Sequence, residues 1–216
     1  NTYVATGEVE DLAIGAGNTK EIAASFTSKD YDVLTTQGKF QYFDEQAMTD
    51  PNIVDVGVEG LTKTITNDFT KKAIAEYGKA TLTQTMGSNG IDFDTIVDAI
   101  AKLNTESEDG YFLLINPAEK AALRKNLKEL LSYSEDFART GYIGTTAGVP
   151  VYVSKAVPAN TAFLANPEAV TLFLKKDVEV EQVRDADKRN NIVYGRVYEV
   201  VALTDETKVV KIGGAA

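Results

Sequence analysis

DPNIVDVGVEGLTKTITNDFTKKAIAEY, residues 50–77, is the stretch from which the rest of the chain takes its meaning. Asp50-Pro51 has the form of a helix start, an acidic cap followed by proline at the first helical position. Apolar side chains then recur at Val54, Val58, Leu61, Ile65, Phe69, Ala73 and Tyr77, which keeps them on one face of an α-helix. Asp55 and Glu59 fall near the positive end, Lys71 and Lys72 near the negative end, and Gly78 follows as a stop. At about 1.5 Å per residue the rod is on the order of 40 Å long. A helix with one apolar stripe needs a sheet or a second helix to lie on. Gly57 and Gly60 weaken it by roughly 1 kcal/mol each against Ala, and they mark points where another backbone is expected to pass close.

Working outward, residues 1–44 have no helical period. Gly15-Ala16-Gly17-Asn18 is a turn, the Ile22–Phe26 segment is apolar and small, and the Val33–Phe43 segment is rich in Thr and aromatics. This reads as an extended two-stranded arm, too polar to bury a core. Asp44-Glu45-Gln46-Ala47 is a short helical turn. Beyond the rod, Gly87-Ser88-Asn89-Gly90 is a turn, and Asp92 or Asp94 caps a second amphipathic helix with Phe93, Ile96, Val97, Ile100 and Leu103 inward. The acidic loop Glu106-Ser107-Glu108-Asp109 lacks the ligand ladder of a calcium loop. The apolar run Tyr111 to Ile115 is a buried strand. Asn116-Pro117-Ala118-Glu119 approaches a capping box for a helix running through Leu123, Leu127, Leu130 and Leu131. Residues 132–148 form a long loop carrying Tyr133, Phe137, Arg139 and Tyr142, suited to a subunit contact.

The last third is β-rich. Short strands are expected at 149–153, 162–164 and 170–174, then an alternating Val178-Glu179-Val180-Glu181 segment with one wet face. Asp185, Asp187, Lys188 and Arg189 form a charged hairpin tip. A long strand over 192–203, interrupted at Gly195, and a final strand at 209–212 complete the chain.

Composition narrows the chemistry. The 216 residues are 44% hydrophobic and 25% charged, an ordinary globular mixture. There is no Cys and no His, which excludes disulfides, thiolate metal sites and Ser-His or Cys-His catalysis. The net charge of −10 does not favour holding nucleic acid by counterion release, and no apolar run approaches membrane-spanning length. No P-loop, zinc motif, nucleophile elbow or dinucleotide fingerprint occurs, and Ser-Lys spacing gives no support for a dyad. No catalytic, cofactor or metal residue is assigned. A hydrolase using Asp92, Asp94 or Glu45, and a surface adhesin domain, are the readings from other classes. The chain begins at Asn1 without Met and with little before the arm, as a processed or trimmed product would.

The order of elements, with Gly148-Val149-Pro150-Val151-Tyr152-Val153-Ser154, Val157-Pro158, Ala165-Asn166-Pro167-Glu168-Ala169-Val170, Tyr194-Gly195-Arg196-Val197-Tyr198 and Val209-Val210-Lys211-Ile212, resembles the major capsid proteins of tailed phages. These share the Hong-Kong-97-type fold with encapsulins. The resemblance implies an α+β fold with residues 1–44 as the extended hairpin arm (E-loop). Residues 45–90 and 176–206 would form a peripheral P-domain around the long spine helix, its loop at 185–190 near a three-fold. Residues 91–175 and 207–216 would form the axial A-domain around five- and six-fold axes. It also implies self-association into pentamers and hexamers, a virion shell assembled in the bacterial cytoplasm around DNA without sequence-specific binding, and scaffold, maturation protease and portal as further partners. An encapsulin-type compartment with enzyme cargo is the alternative on the same fold. A tile of this kind exposes strand edges that neighbours cover.

Overall fold

The computed structural model describes residues 2–87, 89–105, 107, 109–127 and 144–213. Contacts divide the chain into two units, Asn1–Asp32 and Val33–Ala216.

The first unit is a hairpin. Strands β1 (Thr2–Gly7) and β2 (Ile22–Thr27) pair antiparallel, with Gly7 opposite Ile22. A side chain on Gly7 would collide with the Glu21 carbonyl, so this strand end needs glycine. Between the strands, Glu10 accepts hydrogen bonds from the Thr19 N–H and, at 2.9 Å, from its hydroxyl, while Lys20 pairs with Glu8. No described side chain of this unit is buried. Ile14 is fully exposed, and Val9, Ile22 and Phe26 are largely so.

The second unit contains two sheets. Strand β3 (Leu34–Phe43) leads through α1 (Asp44–Thr49) to the long helix α2 (Ile53–Tyr77). Then come β4 (Leu82–Thr85), α3 (Phe93–Leu103), β5 (Phe112–Ile115) and α4 (Pro117–Asn126). Strands β6 (Thr145–Thr146), β7 (Val149–Val153), β8 (Thr161–Ala165), β9 (Val170–Asp185), β10 (Asn190–Leu203) and β11 (Val209–Gly213) follow.

The smaller sheet is antiparallel in the order β3-β10-β9, and α2 lies against β3 and β10. Burial alternates along β10: Asn191, Val193, Gly195, Val197 and Glu199 are buried, and the residues between them are half-exposed. Gly38 on β3 faces Gly195 on β10, and Leu61 of α2 seats over this pair.

The larger sheet is mixed, in the order β4-β11-β8-β5-β7-β6, and its centre is covered on both faces. Leu113, Ile115, Ala162, Leu164, Val210 and Ile212 join Ile96, Leu103, Leu123 and Leu127 of α3 and the α4 region in one core. The alternate residues Phe163, Ala165 and Val209 join Ile74 and Tyr77 at the end of α2, with Phe112 and Leu114 packed alongside. The period-two pattern of these strands therefore feeds two cores from one sheet. The Tyr77 ring packs 6.1 Å from Phe163 and 6.2 Å from Phe112.

Several expectations need correction. Asp50 does not start the long helix. It ends α1, donating its N–H to the Gln46 carbonyl, and its carboxylate accepts from the Asn52 N–H, so α2 begins after Asn52 with no side-chain cap. Val58 is exposed, whereas Ile74, outside the expected stripe, is buried. Gly57 is approached by the Phe40 ring rather than by backbone, and nothing lies within 4 Å of a Cβ on Gly60. The 34–43 segment pairs with β10 and does not belong to the hairpin. The segments at 170–174 and 178–183 are one strand, β9, with a register irregularity opposite Arg196 to Glu199. Gly195 does not interrupt β10. Asn116 caps α4 through its bond from the Ala118 N–H, but Glu119 lies buried against Gly90. Glu106 and Glu108 of the acidic loop, Leu130 and Leu131, and the aromatic loop with Tyr133, Phe137, Arg139 and Tyr142 lie outside the described residues.

Candidate functional site

The three carboxylates proposed for hydrolysis occupy separate structural roles. Asp92 caps α3, accepting from the Thr95 N–H at 2.8 Å and its hydroxyl at 2.5 Å. Asp94 is exposed in the first turn of that helix. Glu45 stands on α1, paired with Arg189 at 2.7 Å beside the β9–β10 turn. None of the three lines a described cleft. Among the described residues, no group of three or more Asp or Glu is placed to hold a metal ion. No described helix is long and apolar enough to cross a membrane.

Two clusters bind the smaller sheet together. At its tip, Asp44 accepts from Arg184 at 2.8 Å and from Asn191 at 2.6 Å, and the Asp44 N–H donates to the Arg189 carbonyl. The Arg184 and Asn191 donors hold the Asp44 carboxyl below its usual range. Asp185 accepts from the Asp187 and Lys188 backbone N–H groups and folds the turn on itself. The charged tip is thus a self-contained network anchored to α1. Neither Asp185 nor Asp187 joins another carboxylate there to form a reactive pair.

Farther along β10, Glu199 is only 1% exposed. It accepts from Lys72 of α2 at 2.6 Å and from the Thr36 hydroxyl of β3 at 2.9 Å. Lys72 also pairs with Asp68 at 2.8 Å. Burial pulls the Lys72 ammonium toward its neutral form, but Asp68 and Glu199 outweigh burial and raise its pKa. A small cavity of about 140 Å³ beside this cluster is lined by both Glu76 and Glu199. Glu76 is engaged with Lys79 and with the Leu203 N–H, so the two carboxylates hold helix to sheet rather than face a shared reaction space. Sequence reading missed this cluster. The signal was present: Glu199 is the charged residue in phase with Val193, Gly195 and Val197, which all face α2.

What the fold leaves open is surface. Among the described residues, strand β9 has a neighbouring strand on one side only, and Leu172, Leu174, Val178 and Val180 along it are exposed. A cleft of about 550 Å³ on the larger sheet is walled by Tyr111, Phe112, Pro150, Tyr152 and Pro167, with Asp109 the one carboxylate among its described lining residues. Edges and apolar faces of this kind fit contact with other protein better than they fit acid–base chemistry.

Comparison with known proteins agrees with that. A family model described as phage capsid protein matches residues 27–212. The major capsid protein of Staphylococcus phage phiMR11 is 34% identical over 118 residues, which are 53% of this chain and 43% of that protein. The match thus spans less than half the length of this curated relative. Among solved structures, the capsid of Helicobacter pylori bacteriophage KHP30 is similar with a TM-score of 0.72 at 11% identity, over 100% of this chain and 84% of that one. The holo-SrpI encapsulin complex from Synechococcus elongatus PCC 7942 is similar with a TM-score of 0.69 at 11% identity, over 98% and 81% of the two chains. At these identities the structural likeness is one of fold.

Proposed function

This chain belongs to the phage capsid protein family, and from that premise we propose that it is a structural subunit of an icosahedral phage shell. Its α+β fold is the Hong-Kong-97-type capsid fold. In this reading the hairpin Asn1–Asp32 is the arm, shorter than the 1–44 expected because β3 pairs with β10. The three-stranded sheet with α2 is the peripheral domain, and the six-stranded sheet with α3 and α4 is the axial domain. Copies gather into pentamers and hexamers that enclose DNA in the virion, after assembly in the bacterial host. The role is geometric rather than catalytic.

The observation that carries the proposal is the hairpin unit. It has no buried described side chain and exposes Val9, Ile14, Ile22 and Phe26. A lone hairpin is marginal in water and gains stability only by packing on something else. In a tile, that something is another copy. The negative net charge leaves the enclosed polymer unbound by the wall.

Electron microscopy of particles from expressing cells, with their contents analysed, tests the proposal. Closed shells holding nucleic acid in infected or induced cells support it. Shells that instead carry one enzyme support the encapsulin-type alternative, which the likeness to the holo-SrpI complex keeps in view. A chain that forms no particle contradicts both.

A further inference from the structure

Gly87 and Gly90 close a turn ahead of α3, the Gly90 N–H donating to the Gly87 carbonyl at 3.1 Å. This turn lies along one face of α4, where residues 119, 122 and 126 stand in helical phase. Glu119 Oε2 is 3.2 Å from where a Cβ on Gly90 would be, and the Ala122 Cβ is 3.0 Å from the same point. Asn126 Nδ2 donates to the Ile91 carbonyl at 2.8 Å and to the Asn89 carbonyl at 3.3 Å. On the other flank, Asp92 Oδ2 and the Gly90 carbonyl lie 3.2 and 3.7 Å from the Cβ position of Gly87.

The two ends of this α4 face differ in chemistry. At position 126 an amide donor meets backbone acceptors. At position 119 a carboxylate is only 4% exposed, and its Oε2 is buried with no hydrogen-bond partner. The same turn presents two further acceptors, Asp92 Oδ2 and the Gly90 carbonyl. Among the described residues neither Asp92 nor Glu119 has an ion pair. Helix ends account for part of this: Asp92 caps α3 through Oδ1, and Glu119 stands in the first turn of α4. They do not account for a buried acceptor without a donor. A glutamine has the same shape and could donate to the turn as Asn126 does, whereas an ionised glutamate can only accept. A group of acceptors alone is completed by a positive ion.

We propose that Glu119 Oε2, Asp92 Oδ2 and the Gly90 carbonyl bind a hard divalent cation of the calcium class, which joins the starts of α3 and α4. The two carboxylates balance its charge, and Asp92 keeps Oδ1 for the Thr95 cap. Oxygen ligands from a turn and two helices suit calcium, which accepts irregular geometry, better than magnesium, which demands a near-ideal octahedron. The site lies within one copy and does not depend on the shell reading.

Thermal unfolding of the full chain in calcium chloride, against potassium chloride of equal ionic strength, tests this. With calcium about 100-fold above its dissociation constant, the melting temperature of the parent is expected to rise by about 5–10 °C. Glu119→Gln keeps the shape and removes the charge. Without calcium it should melt at or above the parent, and calcium should no longer raise it. Asp92→Asn, which keeps an acceptor for the cap, should lose the calcium response too. Asp94→Asn, at an exposed carboxylate in the same helical turn, should keep it in full. Calorimetric titration should count one calcium fewer on Glu119→Gln than on the parent. No calcium response in the parent, or one that survives in Glu119→Gln or Asp92→Asn, overturns the proposal. So does a Glu119→Gln chain that melts below the parent without calcium, which would mean that the carboxylate is satisfied where it stands. A response lost equally in Asp94→Asn reports diffuse binding to a chain of net charge −10 and overturns it as well.

Discussion

Leu61 of α2 fills the space that a side chain on Gly38 would need. Gly38 faces Gly195 across β3 and β10, and a Cβ on Gly195 would stand 2.9 Å from the same leucine. The two glycines make a pit in the sheet, and one leucine of the helix is the peg. One turn earlier the relation is inverted: Phe40 of β3 presses on Gly57 of the helix. Helix and sheet therefore lock in register through paired absences of side chain, which a stripe of apolar residues alone would not supply.

Filling the pit should loosen that lock. Gly38→Ala is expected to cost about 1–3 kcal/mol, because Leu61 is held against Gly195 and cannot retreat freely. Gly60→Ala, on the open side of the same helix, should be neutral or stabilise by up to about 1 kcal/mol. Denaturant midpoints of the two variants check this; an equal effect at both positions would contradict the peg-and-pit account.

The Lys72–Glu199 pair should behave as a buried ion pair. Lys72→Met leaves the Glu199 carboxylate unpaired, and the expected loss is about 2–3 kcal/mol, toward the low end because Lys72 is 31% exposed. Adding Glu199→Gln should return part of it, and a double-mutant cycle measures the coupling. Since the folded-state pKa of Lys72 lies above the ordinary 10.5, its contribution is complete below pH 10.5. It is lost as pH rises through that higher folded value. Alkaline denaturation should accordingly be steeper for the parent than for Lys72→Met.

Asp44 gives the opposite pH dependence. Its carboxyl is held below the ordinary 3.8 by the donors Arg184 and Asn191. Its contribution is present above pH 3.8 and lost as pH falls through the lower folded value. The melting temperature of Asp44→Asn should therefore lie below that of the parent at pH 5 to 7, and the gap should close as the solution is acidified below pH 3.8. A gap that widens in acid would refute the latch between α1 and the β9–β10 tip.

The hairpin separates stability from assembly. Ile22 and Phe26 are 62% and 66% exposed, so Ile22→Ser/Phe26→Ser removes little buried surface within a copy. The thermal unfolding of unit Val33–Ala216 should stay unchanged while particle formation is lost. Calorimetry paired with electron microscopy reads both at once.

The parts legible from sequence were those where one local rule dominates. The long helix, the buried 112–115 strand and the Asn116-Pro117 start were each announced by periodicity or by capping chemistry. Helix α2 nonetheless began later than expected, because Asp50 serves the end of α1, and a carboxylate can satisfy either neighbour. Nothing in the Thr-rich pattern of β3 shows that its partner is the distant β10, so its own sequence reads equally well as part of the arm. Lys175, Lys176 and Asp177 have the composition of a turn, yet in β9 they ride an exposed edge through a bulge. The Lys72–Glu199 tie was hidden for a related reason: its members are 127 residues apart in the chain.

Sedimentation velocity of the expressed chain, across a hundredfold range of concentration, is the most direct trial of the claim that this protein is a shell tile. The account predicts large discrete species, capsomers and closed particles, that grow at the expense of the monomer. A single slow boundary at every concentration, with the 1–32 hairpin intact, would contradict it.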